Sequence, residues 1–386
     1  MRIAGVVAEY NPFHNGHKFQ LQATRKAGAE GVVVIMSGDC VQRGTAAVFS
    51  KYDRAQIAVQ NGADLVIELP CPFSCSNSEI FARSAVRLMA GLGEGVVDML
   101  SFGSESGDRH TLEQAAEISA MLENSQQVRE LVAEGKTYPQ AMYEASVSLC
   151  GRMAEVFSTP NNVLAVEYIK AVKRIAPWIQ PYAIKREGVE HDSPKVTGTF
   201  ASASHIRELI AEGASWSQYV PRGFEGLTPS LTKSAGREIL FKLCTASKED
   251  FLDLPDCDEH LANRFMSVVN SCPEDFVTFE QRLKSKNITM ARVRRMVLHL
   301  VLGIRRSDIM EVPYGRILAF NHTGTRILAE ADNRTLEYDT SLKKLESASE
   351  YAKRVAFLEK NAVKLRETAA YGRCVSNEYT RKIAIT

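Results

Sequence analysis

The first 210 residues alternate short apolar runs with amphipathic stretches, and this alternation constrains the fold more than any other feature of the chain. Ile3–Ala8, Gly31–Met36, Leu65–Leu69, Val96–Phe102 and Trp178–Ile184 read as strands. His17–Ala27, Tyr52–Gln60, Ser78–Ala90 and Asn162–Ile175 read as helices, with two or three more between Leu112 and Leu149. Val-rich strands separated by helices predict an α/β architecture, a parallel sheet covered on both faces. Ligands of such sheets bind beyond the carboxyl ends of the strands. The pattern changes after about residue 213. Pro221, Gly223, Gly226 and Pro229 mark a loop-rich junction. Glu238–Cys244, His260–Val269 and Met290–Leu302 then read as helices, and Gly315–Phe320 as one short strand. The 386 residues exceed the size at which one core usually divides, roughly 250–300 residues. The expectation is an α/β domain over 1–213 and a mostly helical domain over 230–386.

Charge singles out no partner for the chain as a whole, because the net charge is only +1. The halves differ slightly. Residues 1–210 carry 20 Lys+Arg against 23 Asp+Glu, and the remainder 27 against 23. Any polyanion contact is therefore expected in the C-terminal part. The eight cysteines lack zinc-ligand spacing, so free thiols in a reducing compartment are expected and no metal ligands are assigned. No apolar run approaches the ~18 residues that span a bilayer, and the chain opens directly on a strand-like run. A cytoplasmic protein without a membrane span is expected. The sequence does not indicate an oligomeric state.

Chemistry concentrates after the first strand, in Glu9-Tyr10-Asn11-Pro12-Phe13-His14-Asn15-Gly16-His17. The segment opens a helix, whose first N–H groups lack partners and attract anions. Two histidines flanking a glycine add donors for the same phosphate. Gly16 lacks the Cβ that would keep a nucleotide at a distance, and Pro12 stiffens the turn. A polar loop with incidental histidines is the bland alternative, and its place after the first strand of a βα unit argues against it. Ser202-Ala203-Ser204-His205-Ile206-Arg207 opens a second helix, where Arg207 offers a planar fork for phosphate oxygens.

Together these segments resemble the signatures of the H-x-G-H nucleotidyltransferase superfamily, with Ser204 in place of a threonine. The resemblance narrows along the chain. Met36-Ser37-Gly38-Asp39-Cys40-Val41-Gln42-Arg43-Gly44, Asp64-Leu65-Val66-Ile67-Glu68-Leu69-Pro70, Leu100-Ser101-Phe102-Gly103-Ser104-Glu105, Pro160-Asn161-Asn162, Ile184-Lys185-Arg186 and Leu298-His299-Leu300-Val301-Leu302-Gly303-Ile304 resemble the tRNA(Met) cytidine acetate ligase family. The resemblance implies a Rossmann-like nucleotidyltransferase domain followed by a mostly helical, tRNA-binding one. It implies that ATP and acetate form acetyl-adenylate, and that the wobble cytidine of elongator tRNA(Met) takes the acetyl group as N4-acetylcytidine. ATP chemistry adds the expectation of Mg2+. His14, His17 and Arg207 are the implied triphosphate clamp. The implied ATP site comprises Val7, Ala8, Glu9, Tyr10, Asn11, Pro12, Phe13, His14, Asn15, Gly16, His17, Lys18, Phe19 and Gln20, with Gly103, Asn162, Arg186, Ser202, Ser204 and Arg207.

Asp39 departs from the family pattern, which has asparagine there. A carboxylate beside phosphate or acetate repels both unless it is neutralised or turned away. Arg292, Arg295 and His299 fall on one face of the helix at Met290–Leu302. With Arg305 and Arg306 they are the candidate RNA contacts, an ordinary solvated face being the alternative. Two other functions stay open: a small-molecule adenylyltransferase, and a tRNA- or ribosome-associated protein with a vestigial nucleotide site.

Overall fold

The computed structural model describes residues 1–185, 198–285, 288–381 and 383–385. Strands β1 (Ile3–Ala8), β2 (Gly31–Ser37), β3 (Leu65–Leu69), β4 (Met99–Ser104) and β5 (Gln180–Lys185) form a parallel sheet in the order β3-β2-β1-β4-β5. Helices α1 (Asn15–Lys26), α2 (Lys51–Gln60), α3 (Ser78–Ala90) and α4 (Pro160–Ile175) cover its faces. The α/β reading of the first half is correct. All of β2 is buried, as its uninterrupted apolar run requires of a strand covered on both sides. Val33 and Ile35 pack into one core with Phe81 and Leu88 of α3. Val32, Val34 and Met36 pack into the opposite core with Tyr52, Ala55 and Ile57 of α2. That split follows from the two-residue period of a strand.

Sheet order reverses between β1 and β4, which opens a crevice beyond their carboxyl ends. The loop from Glu9 to His14 leaves β1 at this point, and Gly103 lies near the end of β4. Helix α5 (Ala203–Glu212) begins at Ser202, whose side chain accepts from the His205 N–H at 3.2 Å. It ends at Gly213, left-handed with φ of 70°.

The C-terminal part is mostly helical, and includes α6 (Met290–Leu302) and α7 (Glu350–Tyr371). It is not walled off from the first half. The expected short strand is β6 (Tyr314–Phe320), and it pairs antiparallel with β3. β7 (Glu337–Asp339) and β8 (Ala384–Ile385) flank β6, making an eight-stranded sheet among the described residues. Cys40, Cys71 and Cys75 of the first half share a core with the C-terminal helices. All eight cysteines are free thiols. No helix among the described residues is long and apolar enough to cross a membrane.

α6 rests on a small hairpin, Cys40–Val41 against Thr45–Ala46. Its backbone comes so near Gly44 that a Cβ there would lie 2.3 Å from the Arg295 nitrogen. Gly44 also has φ of +79°, so both sterics and backbone conformation call for glycine. This contact brings the helical layer to the mouth of the crevice.

Candidate active site

The crevice holds a cavity of about 540 Å³. The first signature supplies its floor. His14 caps α1: its Nδ1 accepts from the Gly16 N–H at 3.1 Å, and the His17 Nδ1 accepts from the His14 N–H at 3.2 Å. A neutral imidazole whose Nδ1 accepts carries its hydrogen on Nε2. The cap therefore sets both rings as Nε2–H donors. The rings stack with centroids 3.7 Å apart. Tyr10 braces them, edge-on to His17 at 4.8 Å and to Phe13 at 4.7 Å. Gly16 leaves room for the histidine pair, since a Cβ would fall 2.9 Å from the His14 ring.

The second signature meets the first through Arg207. Its Nη1 donates to the Asn11 carbonyl at 2.7 Å, and its Nη2 donates to the Ser204 Oγ at 3.2 Å. A planar guanidinium can hold both at once. Arg54, which the sequence reading missed, is fully buried and donates to the carbonyls of Glu9, Ser37, Gly38 and Phe49. It fixes the loops that leave β1 and β2. Nothing in the local pattern singles it out, because its targets are backbone carbonyls of distant loops.

Of the expected ATP-site residues, Val7, Ala8, Glu9, Tyr10, Asn11, His14, His17, Gln20, Gly103, Ser204 and Arg207 line the cavity. The others serve around it. Phe13 is buried behind Tyr10 and His17. Asn15 donates to the carbonyls of Thr199 and Gln218, and Phe19 packs edge-on against Phe200. Pro12 and Lys18 stand outside the lining, and Ser202 is the helix cap. Asn162 does not line the cavity. Its Oδ1 accepts from the N–H groups of Glu105 and Ser106 at 3.0 and 3.2 Å, so it shapes the loop after β4. Its neighbours Pro160 and Asn161 reach the cavity instead. Arg186 lies outside the described residues.

Arg43, Arg294 and Arg295 join Arg207 on the lining, with Glu9 as its one carboxylate among the described residues. Even with Arg294 paired to Glu280 at 2.9 Å, the described lining is cationic, as an anion site requires. Glu9 is itself engaged, accepting from the Gln42 N–H at 2.9 Å. Arg43 sits in the Met36–Gly44 segment, next to the glycine that lets α6 approach. Only the three-dimensional approach of α6 reveals its role.

Asp39 is turned away and neutralised. It is buried, its Oδ1 is 3.1 Å from Arg366 Nε, and it also accepts from the Lys51 N–H at 3.1 Å. The candidate RNA face needs correction too. His299 is buried, with its Nε2 2.8 Å from the Cys75 carbonyl, so it is no RNA contact. On the helix face chosen by spacing, Arg295 and His299 meet the first half of the chain. Arg295 turns into the cavity. Arg306 donates to the carbonyls of Leu252, Leu254 and Cys257. Arg292 donates to the Asp256 carbonyl at 2.7 Å. Arg305, with a side chain 68% exposed, stands 3.6 Å from Asp253.

Comparison with known proteins agrees with this geometry. The model of the HIGH Nucleotidyl Transferase family matches residues 1–383. The tRNA(Met) cytidine acetate ligase of Caldicellulosiruptor bescii is 35% identical over 89% of this chain and 88% of its own. That of Staphylococcus aureus is 33% identical over 85% and 86%. The crystal structure of Thermotoga maritima TmcAL superposes with a TM-score of 0.90 at 27% identity, covering 100% of this chain and 99% of that one. The same protein bound with alpha-thio ATP gives 0.89 at 26%, with the same coverage. With both signatures on one cavity and this likeness along nearly its whole length, the chain belongs to the HIGH nucleotidyl transferase family and, within it, to the tRNA(Met) cytidine acetate ligases.

Proposed function

We propose that this chain activates acetate with ATP and transfers the acetyl group to the wobble cytidine of elongator tRNA(Met), giving N4-acetylcytidine. The observation that carries this is the junction of two signatures by Arg207, which ties the loop after β1 to the start of α5 across one cationic cavity. The family name of the relatives supports the acceptor, and the alpha-thio ATP of the Thermotoga protein supports the nucleotide.

In the first step an acetate oxygen attacks the α-phosphorus of ATP. The bond to the bridging oxygen of the leaving group breaks, and pyrophosphate departs. Such a reaction depends on positioning and on stabilising charge over the phosphate oxygens. The Nε2–H groups of His14 and His17 and the guanidinium of Arg207 supply donors, and Arg43 adds charge. Mg2+, if bound with the triphosphate, would supply further charge for the phosphate oxygens. In the second step the cytidine N4 attacks the acetyl carbonyl carbon. The bond to the adenylate oxygen breaks, AMP leaves with the electron pair, and the amine gives up a proton. Arg305 is the candidate contact to RNA phosphates, and a tRNA substrate implies a cytoplasmic protein.

The decisive experiment supplies ATP, labelled acetate and unmodified tRNA(Met). Label is expected in RNA cytidine; its absence there defeats the proposal. Turnover on another phosphorylated metabolite instead identifies a small-molecule adenylyltransferase. His17→Ala is expected to abolish acetate-dependent pyrophosphate exchange while tRNA binding persists. Equal loss of tRNA affinity refutes its assignment to the phosphates.

A further inference from the structure

The cavity assigned to ATP adjoins a second one of about 660 Å³, and Arg43, Ser204, Arg207 and Arg294 line both. The far side of the second cavity belongs to the C-terminal helices, where Phe276 and Val301 give apolar surface. Among its polar groups, which include Glu208 and Lys233, Arg294 and Glu280 form a defined pair. Arg294 Nε donates to Glu280 Oε1 at 2.9 Å, and the Glu280 side chain is only 14% exposed. A carboxylate and a guanidinium held side by side present an acceptor next to donors. The pairing edge of cytosine is the complement: its N4 amine donates, and its N3 and O2 accept. Carboxylates recognise cytosine N4 in this way elsewhere. Uracil has an acceptor at position 4 and meets Glu280 with the wrong polarity.

We propose that this second cavity is a cytosine subsite, resting on the acetate-ligase reading above. The base, swung out of its strand, lies on the apolar surface with N4 against Glu280 and N3 and O2 against Arg294. The two cavities share Arg43, Ser204, Arg207 and Arg294, so the amine and the adenylate meet at that common border. Taking a base out of a stack costs a few kcal/mol, and least in a loop, where RNA is usually read. An apolar surface with two oriented polar groups returns that cost through stacking and pairing.

The test uses the full-length protein and two reactions: acetate-dependent pyrophosphate exchange, which needs no RNA, and acetyl transfer to unmodified tRNA(Met). Glu280→Ala removes the N4 acceptor, and Val301→Trp fills the cavity. Both are expected to keep exchange within about twofold, because neither residue lines the cavity assigned to ATP. Both are expected to lower kcat/KM for transfer by about 10–100-fold, the worth of one good base contact. Glu280→Gln, which keeps an acceptor oxygen, is expected to recover part of the loss. Transfer that follows exchange in every variant, whether both persist or both fall, overturns the subsite. An unsubstituted protein without acetate-dependent exchange overturns the underlying reading instead, so the two failures are distinct.

Discussion

At the scale of single residues, the site depends on groups that do two things at once. His14 caps a helix and in doing so sets its own tautomer. Arg207 bridges two loops and lines the cavity. A lysine keeps the charge of Arg207 but not the planar fork that reaches the Asn11 carbonyl and Ser204 Oγ together. Arg207→Lys is therefore expected to slow acetate-dependent pyrophosphate exchange by about 10²–10³-fold, the cost of losing an oriented donor, with the thermal midpoint little changed. An enzyme exchanging at the original rate shows that charge alone suffices. The sequence revealed these residues because their signatures are local, a strand end followed by a helix start. It did not reveal Arg54, whose partners are carbonyls scattered over residues 9 to 49. Nor did it reveal the work of Asp39, since the neutralising Arg366 lies more than 300 positions away.

At the scale of elements, the regular periodicities were legible and the interrupted ones were not. β1, β2 and β3 announce themselves as apolar runs, and α6 reads over Met290–Leu302 with the bounds it has in the structure. α7 was not picked out, because buried Glu359, Arg366 and Glu367 break its apolar stripe. β6 reads as a strand, but its partner β3 is too distant in sequence for its place in the sheet to be read. The face of α6 failed for a related reason. Spacing gathers Arg292, Arg295 and His299 on one side, yet cannot say whether that side meets solvent or protein. Gly44 decides the docking of α6. Gly44→Ala puts a Cβ against main chain, at 2.3 Å from the Arg295 nitrogen and 2.4 Å from the Arg294 carbonyl carbon, at a backbone conformation that alanine resists. It is expected to destabilise the fold by about 1–3 kcal/mol and to depress exchange, because Arg294 and Arg295 move away from the cavity. A denaturant midpoint equal to that of the unsubstituted protein excludes this tight contact.

At the scale of the whole molecule, one buried charge cluster joins segments from both ends of the chain. Lys51 of α2 lies 2.8 Å from Glu68 of β3 and 2.6 Å from Glu378 near the C-terminus. Arg316 of β6 pairs with the same Glu378, which also accepts from the Tyr52 hydroxyl at 2.9 Å. Burial pushes the Glu378 carboxyl up, but Lys51 and Arg316 outweigh it and hold it below the ordinary range. Burial raises Glu68 as well, yet a carboxylate whose two oxygens accept from one ammonium, at 2.8 and 3.0 Å, stays ionised. Two cations are thus matched by two carboxylates, and Glu359 of α7 is the odd acid. It is buried, and neither oxygen has a hydrogen-bond partner among the described residues. Burial first, then the nearby Glu68, pushes its carboxyl well above the ordinary range, so it is held as the neutral acid. Because its folded value exceeds the unfolded one, its contribution to stability is complete below about pH 4.3 and is lost as pH rises toward the folded value. Glu378, with the opposite shift, contributes above that pH and loses its contribution on acidification. Glu359→Gln keeps the shape and removes the titration. It is expected to raise stability by about 1–3 kcal/mol at pH 8 and by less at pH 5, read from denaturant midpoints at the two values. A gain that is the same at both pH values, or a loss at pH 8, shows instead that Glu359 is ionised and paired in the folded protein.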